Sequence, residues 1–353
     1  MTGGAERVQL TFAIGQTPMG FIGRRIAQAT RQLRYLRNDL RQATGLNHRV
    51  FRHAAGGVRI ITYHGICMDN PLRFNASFIT AKTLEAHLRF YKEHFNIISL
   101  DDYLAGNISK ERFNVCLTFD DGHHNNLKYA LPLLEKYKAP ATFFVTGIRE
   151  AGYDILWNDF LAVFSRSGPK QITYKGELFH KNRWNHYVST KDGHLLRDQI
   201  RAGDFSLKIE LMKLLDPASD FSHKNAVDKD YWLQMTPEEI AILSQSPYAQ
   251  IGGHSFYHND LTKVSSESLA TDFTSCRHFL EDTIQEEVNT FAFPYGSYTP
   301  AVTEAGLSAG FNHFFALAHL HNESDNTLIS ERLVVNPYIS TTNQMLATIR
   351  GHY

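Results

Sequence analysis

The hydrophobic positions divide the chain into an N-terminal part with helical periodicity and a longer part made of short apolar runs. Between residues 21 and 45, apolar side chains recur every three or four positions, which predicts an amphipathic helix with one apolar stripe. Gly45 follows this pattern and is a typical helix stop signal. The predicted stripe consists of Ile22, Ile26, Ala29, Leu33, Leu36, Leu40 and Ala43.

From residue 58 onward, apolar runs of three to six residues alternate with amphipathic segments such as 81–94 and 127–137. This alternation predicts an α/β fold in which crossover helices join parallel strands, as a barrel or as a doubly wound sheet. Residues 165–235 interrupt the alternation with polar, aromatic-rich sequence and are interpreted as an insertion. The predicted strands are 58–63, 96–100, 115–119, 141–145, 250–253, 290–293 and 333–335.

Charge is balanced over the whole chain but not within its N-terminal part. The 353 residues carry 36 basic and 36 acidic side chains, so no global field attracts nucleic acid. Residues 21–55, in contrast, contain eight arginines and a single acid, Asp39. We interpret residues 1–55 as a basic amphipathic helical arm and 56–345 as the main domain. The arm is predicted to pack on the main domain or on a second copy, with a membrane surface or an anionic partner as the alternative.

The cysteines and the apolar stretches indicate which classes of protein the sequence does not fit. Cys67, Cys116 and Cys276 are far apart and lack Cys-x-x-Cys spacing, which argues against a disulfide framework or a thiolate zinc site. No stretch approaches the roughly 20 apolar residues that cross a bilayer, and the first residues lack the pattern of an export signal. The sequence therefore predicts a soluble protein of a reducing compartment.

Four titratable side chains directly follow two of the predicted strands: Asp120 and Asp121 after 115–119, and His254 and His258 after 250–253. The carboxyl ends of parallel strands meet at one edge, so we expect these side chains to lie together. Adjacent carboxylates diverge in extended chain, so one can bind a metal while the other acts as a base. Histidines four apart share a face if their segment is helical. Two imidazole nitrogens and one carboxylate oxygen would leave positions on a zinc ion for water and substrate.

These short patterns also have purely conformational explanations. Asp-Asp-Gly at 120–122 is typical of turns, and a chain with 18 histidines contains chance pairs. A third cluster, 293–296, closes the strand that starts at Thr290. Its Pro294 fixes the backbone, so that the Tyr295 amide can be held toward the site as an oxyanion donor, but the same cluster could be an ordinary turn.

Taken in order, these motifs make the chain resemble the polysaccharide deacetylases of the carbohydrate esterase family 4 type, which share the NodB homology domain. The resemblance covers about 58–337 without the insertion and rests on TFDDG at 118–122, ATFFV at 141–145, HSFYHNDL at 254–261 and PYG at 294–296. It implies a distorted (β/α) barrel. It also implies Asp120 as the catalytic base, Asp121, His254 and His258 as ligands of a divalent metal, usually zinc, and the Tyr295 amide as the oxyanion donor.

The chain departs from the family pattern at two places. Many members have an arginine two residues before the proline of PYG, where this chain has Ala292, and we take Arg332 as the candidate that orients the base. The general acid of many members is a histidine in a Leu-x-His motif, which Leu317-Ala318-His319 spells. The chain also resembles the circularly permuted branch of poly-N-acetylglucosamine deacetylases, in which this histidine lies on the first strand. His64 is therefore favoured over His319.

The resemblance implies a hydrolase that removes acetyl groups from N-acetylated amino sugars of a glycan or glycan precursor. Trp157 and Pro294 are predicted to contact this carbohydrate substrate. Cleavage of an O-acetyl ester or a formamide at the same site is one alternative, and a catalytically inactive carbohydrate-binding protein is another. The basic helix and the lack of an export signal predict a cytoplasmic enzyme, with peripheral contact to the inner membrane surface through residues 21–45 as a hypothesis. The sequence does not indicate whether the protein is a monomer or an oligomer.

Overall fold

The computed structural model describes residues 21–74, 76–219, 226–321 and 328–353. Its strands are β1 Val58–Tyr63, β2 Ile66–Cys67, β3 Ile79–Thr80, β4 Asn96–Ile97, β5 Asn114–Phe119, β6 Ala141–Val145, β7 Gln171–Tyr174, β8 Glu177–Lys181, β9 Tyr187–Ser189, β10 Ala249–Gly253, β11 Thr290–Ala292, β12 His313–Ala316 and β13 Ile329–Val334. Its helices are α1 Phe21–Ala43, α2 His48–His53, α3 Ala81–His94, α4 Leu100–Leu104, α5 Leu131–Tyr137, α6 Trp157–Ser167, α7 Leu196–Arg201, α8 Phe205–Ser219, α9 Pro237–Ser244, α10 Ser266–Ile284, α11 Pro300–Ser308 and α12 Thr341–Arg350.

Seven parallel strands form a closed barrel in the order β1, β13, β12, β11, β10, β6 and β5. The barrel closes because β1 pairs with β5 along its whole length, from Val58 opposite Asn114 to Tyr63 opposite Phe119. Strands covered on both faces are mostly apolar, as is β5, which is buried at all six positions. The predicted distorted (β/α) barrel is thereby confirmed, with β4 as an additional strand beside β5.

The alternation of side chains along each strand separates an outer layer from the barrel interior. Outward-facing rings such as Phe119 and Phe143 stack 4.9 Å apart and belong to the large core beneath the helices. A smaller cluster includes Cys116 of β5 and Phe144 of β6. Because side chains two apart share a face, Asp120 lies on the same side of the chain as Cys116, at the carboxyl end of β5.

Several element predictions differ from the structure in detail, and the last strand is Ile329–Val334 rather than 333–335. The predicted strand 96–100 ends at Ile97, because Ser99 caps α4 by accepting a hydrogen bond from the Asp102 backbone N–H. Strand β12 was not predicted, since its four residues lie just ahead of a segment interpreted as leading into the last strand. The expected helix stop is present: α1 ends at Ala43, and Gly45 has a left-handed φ of 73°.

Helix α1 packs on the barrel through its polar face rather than through the predicted apolar stripe. Asn38 donates to the Asn343 side chain of α12 at 2.8 Å, and Ser340 donates to Asp39 at 2.6 Å. These contacts turn the stripe away from the domain. Among the helices in the described ranges, none has the length and apolar character that a membrane-crossing helix needs.

The interpreted insertion builds a second hydrophobic cluster beside the barrel. Strands β7, β8 and β9 form an antiparallel sheet, and α6 and α8 pack against one another. The cluster buries most of the aromatic rings of this region, including Phe164, Phe179, Tyr187, Tyr231 and Trp232. It also includes residues before 165, so the boundaries of arm, domain and insertion stay predictions.

Candidate active site

Asp121, His254 and His258 converge at the carboxyl edge of the barrel. The Nε2 atoms of His254 and His258 lie 3.4 and 3.3 Å from the same oxygen, Oδ1 of Asp121. Asp121 follows β5 with a left-handed φ of 77°, which turns its side chain away from the direction of Asp120. The structure thus brings together the three side chains whose carboxylate and imidazole atoms can hold a metal ion.

The segment that carries both histidines is a loop, not the helical turn that we considered. Ser255 and His258 have left-handed φ values of 66° and 53°, which bend the loop so that both imidazoles reach Asp121. Asp272, buried on α10, holds this bend by accepting hydrogen bonds from the Ser255 hydroxyl at 2.9 Å and the Phe256 N–H at 2.8 Å. Burial raises the pKa of Asp272, against the hydrogen bonds from Ser255 and Phe256.

The hydrogen bond of His254 to a backbone carbonyl leaves its Nε2 lone pair facing the Asp121 carboxylate. His254 Nδ1 lies 2.8 Å from the Ala292 carbonyl, which can only accept, so Nδ1 carries the proton of the neutral ring. His258 Nδ1 lies 3.2 Å from the Tyr295 hydroxyl, and burial lowers the pKa of His258, which favours its neutral form. Lone pairs that face a carboxylate oxygen repel it unless a cation lies between them, so these residues fit a divalent metal.

His123 supports the other oxygen of Asp121, and the sequence analysis had given it no role. Its Nε2 lies 3.4 Å from Asp121 Oδ2, while Gln234 donates to its Nδ1 at 3.1 Å. The Gln234 bond leaves the ring proton on Nε2, directed at Asp121. Burial would raise the pKa of Asp121, but the His123 imidazole directed at it opposes this effect, and the pKa of Asp121 lies well below its usual value. The only sequence signal was a histidine directly after the Asp-Asp-Gly motif.

Asp120 is clamped by Arg332, which reaches it from β13. The two terminal nitrogens of Arg332 donate to Oδ1 and Oδ2 of Asp120 at 2.7 and 2.8 Å, in a bidentate pair of almost fully buried side chains. Burial of Asp120 would raise its pKa, but the Arg332 charge and hydrogen bonds outweigh this effect and lower the pKa. Asp120 is therefore an ionised carboxylate of fixed orientation. The structure thus brings Arg332 into contact with Asp120, the carboxylate that it is expected to orient.

The two candidates for the general acid lie in different surroundings. His64 follows β1, and its Nδ1 is buried without a hydrogen-bond partner among the described residues. Burial lowers the pKa of His64, while the charges of Asp121 and Asp120 act in the opposite direction, so the ring lies within the field of the site. His319 is exposed on the segment after β12, where its backbone N–H bonds Glu331. The geometry favours His64.

A family model of polysaccharide deacetylases matches residues 107–190 and 221–314, just over half of the chain. The chain belongs to the polysaccharide deacetylase family. The protein YxkH of Bacillus subtilis, whose name places it provisionally in the same family, is 32% identical over 92 residues. That match covers 25% of this chain and only 31% of YxkH.

Two solved structures show the same fold. The deacetylase PplD of Streptococcus pyogenes, solved with acetate, superposes with a TM-score of 0.50 at 17% identity, and IcaB of Ammonifex degensii with 0.50 at 18%. Each comparison covers 83% of this chain and 97% of the other. At such low identity the likeness establishes the fold alone.

In this member of the family, the insertion reaches the site through Arg201 of α7. Arg201 donates to Asp260 at 2.8 Å and to Ser297 at 3.0 Å, and its guanidinium lies 4.1 Å from the centre of the Tyr295 ring. Tyr295 itself has a left-handed φ of 61°, a strained value for a residue with a side chain. Arg201 therefore holds the loop that contains Tyr295, the residue whose hydroxyl contacts His258. No motif in the sequence marks Arg201 as part of the site.

The two predicted substrate contacts, Trp157 and Pro294, both lie beside this loop, but both are largely buried. Trp157 begins α6 in the cluster of the insertion, against which Tyr295 packs. Lys208 of α8 is fully buried, with its Nζ 5.7 Å from the centre of the Trp157 ring and hydrogen-bonded to Asn259. Burial lowers the pKa of Lys208 to about 8. The insertion is thus packed directly against the loops of the site.

Proposed function

We propose that the protein is a metal-dependent hydrolase that removes acetyl groups from N-acetylated amino sugars of a glycan or glycan precursor. The observation that carries this proposal is the convergence of Asp121, His254 and His258 beside a separate carboxylate, Asp120, that Arg332 keeps ionised. Membership of the polysaccharide deacetylase family supports glycan deacetylation. A purely structural barrel gains nothing from so many buried titratable groups.

Asp121, His254 and His258 would hold one divalent metal ion, and zinc is the best match to two imidazoles and one carboxylate. When bound, such an ion polarises an acyl carbonyl and lowers the pKa of a bound water toward about 7. The protein fixes the ligand atoms in advance. The Ala292 carbonyl sets the proton position of His254, the Tyr295 hydroxyl contacts His258, and His123 supports the carboxylate.

Asp120 is the proposed base. Because Arg332 lowers its pKa, the carboxylate is ionised at neutral pH and can accept a proton from the attacking water. The bidentate contact fixes the direction in which the carboxylate points, which keeps it from moving into the position of a metal ligand. The backbone N–H of Tyr295, held by the strained turn, is the proposed donor to the oxyanion that forms on the substrate carbonyl.

His64 is the proposed acid that protonates the leaving nitrogen. The lowered pKa of His64 fits this role, because a protonated imidazole with a lowered pKa is a stronger acid. Trp157 and Pro294 remain proposed contacts for the sugar. Since both are largely buried, we expect the sugar to contact only an edge of the Trp157 or Pro294 ring or the backbone of the adjoining loop.

The substrate is tested with a panel of N-acetylated, O-acetylated and N-formylated oligosaccharides, with released acetate and formate measured in the presence of zinc or cobalt. Deacetylation is expected for N-acetylated amino sugars in the wild type and not in Asp120→Asn. Release from O-acetyl or formyl substrates alone would replace the proposed reaction by one of the alternatives on the same site. Binding of oligosaccharides without any release would identify a carbohydrate-binding protein instead.

The cytoplasmic location and the contact of residues 21–45 with the inner membrane surface stay predictions of the sequence. A glycan precursor linked to lipid would give such an enzyme a substrate at that surface, and the orientation of α1 bears on this prediction.

A further inference from the structure

Helix α1 presents two opposite faces, and the described residues cover only one of them. Asn38 is buried against α12, and its backbone carbonyl accepts a hydrogen bond from the Asn47 side chain at 3.0 Å. On the other side, large apolar side chains recur at heptad-like spacing. Their exposed fractions are 62% for Ile26, 68% for Leu33, 58% for Leu36 and 62% for Leu40.

This exposed stripe is displayed in a fixed orientation. The contacts of Asn38 and Asp39 with α12 hold α1 by its polar side, so the stripe cannot turn inward without breaking these hydrogen bonds, of which the one between Asn38 and Asn343 is buried. Leu46, just after the helix, is also 58% exposed. Soluble monomers rarely expose such a contiguous row of large aliphatic side chains without a partner.

The charge beside the stripe is positive. Arg34 and Arg37 are exposed next to Leu33 and Leu36. The single acid of the helix, Asp39, is already engaged by Ser340 and Asn343 of α12. Burial lowers the pKa of Arg350, and the charges of Arg34 and Arg41 lower it further, as expected where basic groups crowd together.

We propose that this face of α1 docks on an anionic lipid surface. An apolar stripe on a helix that also exposes Arg34 and Arg37 matches the acyl boundary and the phosphate-rich headgroups of such a bilayer, with α1 lying in the plane of the interface. A second copy of the chain fits less well, because pairing two of these faces would bring arginines together while the only acid of the described helix is directed at α12.

The test is sedimentation of the full chain with vesicles of phosphatidylcholine alone or with about 30% phosphatidylserine. Binding is expected only to the anionic vesicles and should weaken as salt is raised. Arg34→Gln/Arg37→Gln should lower the affinity roughly 30-fold, and Leu33→Glu/Leu36→Glu should abolish binding. The matched control is Ile242→Glu on α9, a residue 54% exposed away from this face, which should bind like the wild type.

Circular dichroism and thermal unfolding should be the same for all variants, since the altered side chains are exposed. Equal binding of wild type and Leu33→Glu/Leu36→Glu, or equal binding to neutral vesicles, would overturn the proposal. A wild-type dimer that Leu33→Glu/Leu36→Glu converts to monomers, without vesicle binding, would assign the face to a second copy. Vesicle binding needs no deacetylation, so failure here and failure of the proposed activity on soluble oligosaccharides are distinguishable.

Discussion

The buried pair of Asp120 and Arg332 offers the sharpest perturbation of the site. Removing one partner of a fully buried, bidentate ion pair leaves an uncompensated charge and typically costs about 3–5 kcal/mol of stability. Only 1% of the Arg332 side chain and 5% of the Asp120 side chain are exposed, so solvent offers almost no screening. We therefore expect Arg332→Met to lower the free energy of unfolding by an amount in this range.

The dependence of this loss on pH has a defined sign. In the wild type the pKa of folded Asp120 is lowered, so the pair stabilises the fold above the unfolded carboxyl pKa of about 3.9, and this contribution is lost as pH falls through the lower folded pKa. Without Arg332, burial raises the pKa of Asp120 instead, so stability falls as pH rises above about 4. The difference between wild type and Arg332→Met should be largest at neutral pH and shrink in acid.

The assay is equilibrium urea unfolding with a chelator present, for the wild type, Asp120→Asn, Arg332→Met and the double variant. The sum of the losses in unfolding free energy for Asp120→Asn and Arg332→Met should exceed the loss for the double variant. The reason is that the second substitution removes a charge that the first has already left unpaired. Arg277→Met provides a control in a more exposed ion pair with Glu281, also at 2.8 Å, and should cost much less. Additive losses for Asp120 and Arg332, or a loss no larger than that of Arg277→Met, would refute the reasoning.

Three further predictions concern the acid and the insertion. His64→Gln should lower kcat about 100- to 10,000-fold, whereas His319→Gln should leave it unchanged in the same acetate-release assay; the reverse result would reassign the acid. Arg201→Ala should lower kcat with little change in KM, because it loosens the proposed oxyanion loop, while Arg197→Ala on the same helix, 49% exposed, should match the wild type. The pKa of Lys208 falls from 10.5 to about 8, so wild-type stability should rise by about 3 kcal/mol between pH 8 and 10.5. In urea unfolding, Lys208→Met should remove most of this rise of stability with pH. An unchanged dependence of the unfolding free energy on pH would mean that the lysine is not buried as described.

The barrel could be predicted from the sequence because most of its strands are short, predominantly apolar runs, several of them separated by amphipathic helices. The same periodicity identified α1 but could not say which face would be covered, since that depends on Asn38 and Asp39 meeting α12 about 300 positions away. Periodicity records where apolar side chains lie on an element. It does not record the polar contacts that decide how the element docks.

Within the site, residues next to a motif were easier to identify than residues that reach it from a distance. The ligands and the base lie in short motifs at strand ends, and the loss of the usual arginine at Ala292 drew attention to Arg332, which is 212 positions from Asp120. Arg201 contacts Asp260 across 59 positions from within the insertion, and no pattern in the sequence links the two. Long-range pairs of this kind become visible only when the chain is folded.

The central claim is that Asp121, His254 and His258 form one metal site that is separate from the base. The most direct measurement is the zinc content and zinc affinity of purified protein for the wild type, His258→Ala and Asp120→Asn, with His278→Ala as an exposed histidine control. We predict one ion per chain in the wild type, in Asp120→Asn and in His278→Ala, with activity lost only in Asp120→Asn among these three, and greatly weakened binding in His258→Ala. Full activity after removal of all metal, or loss of the ion in Asp120→Asn but not in His258→Ala, would contradict the account.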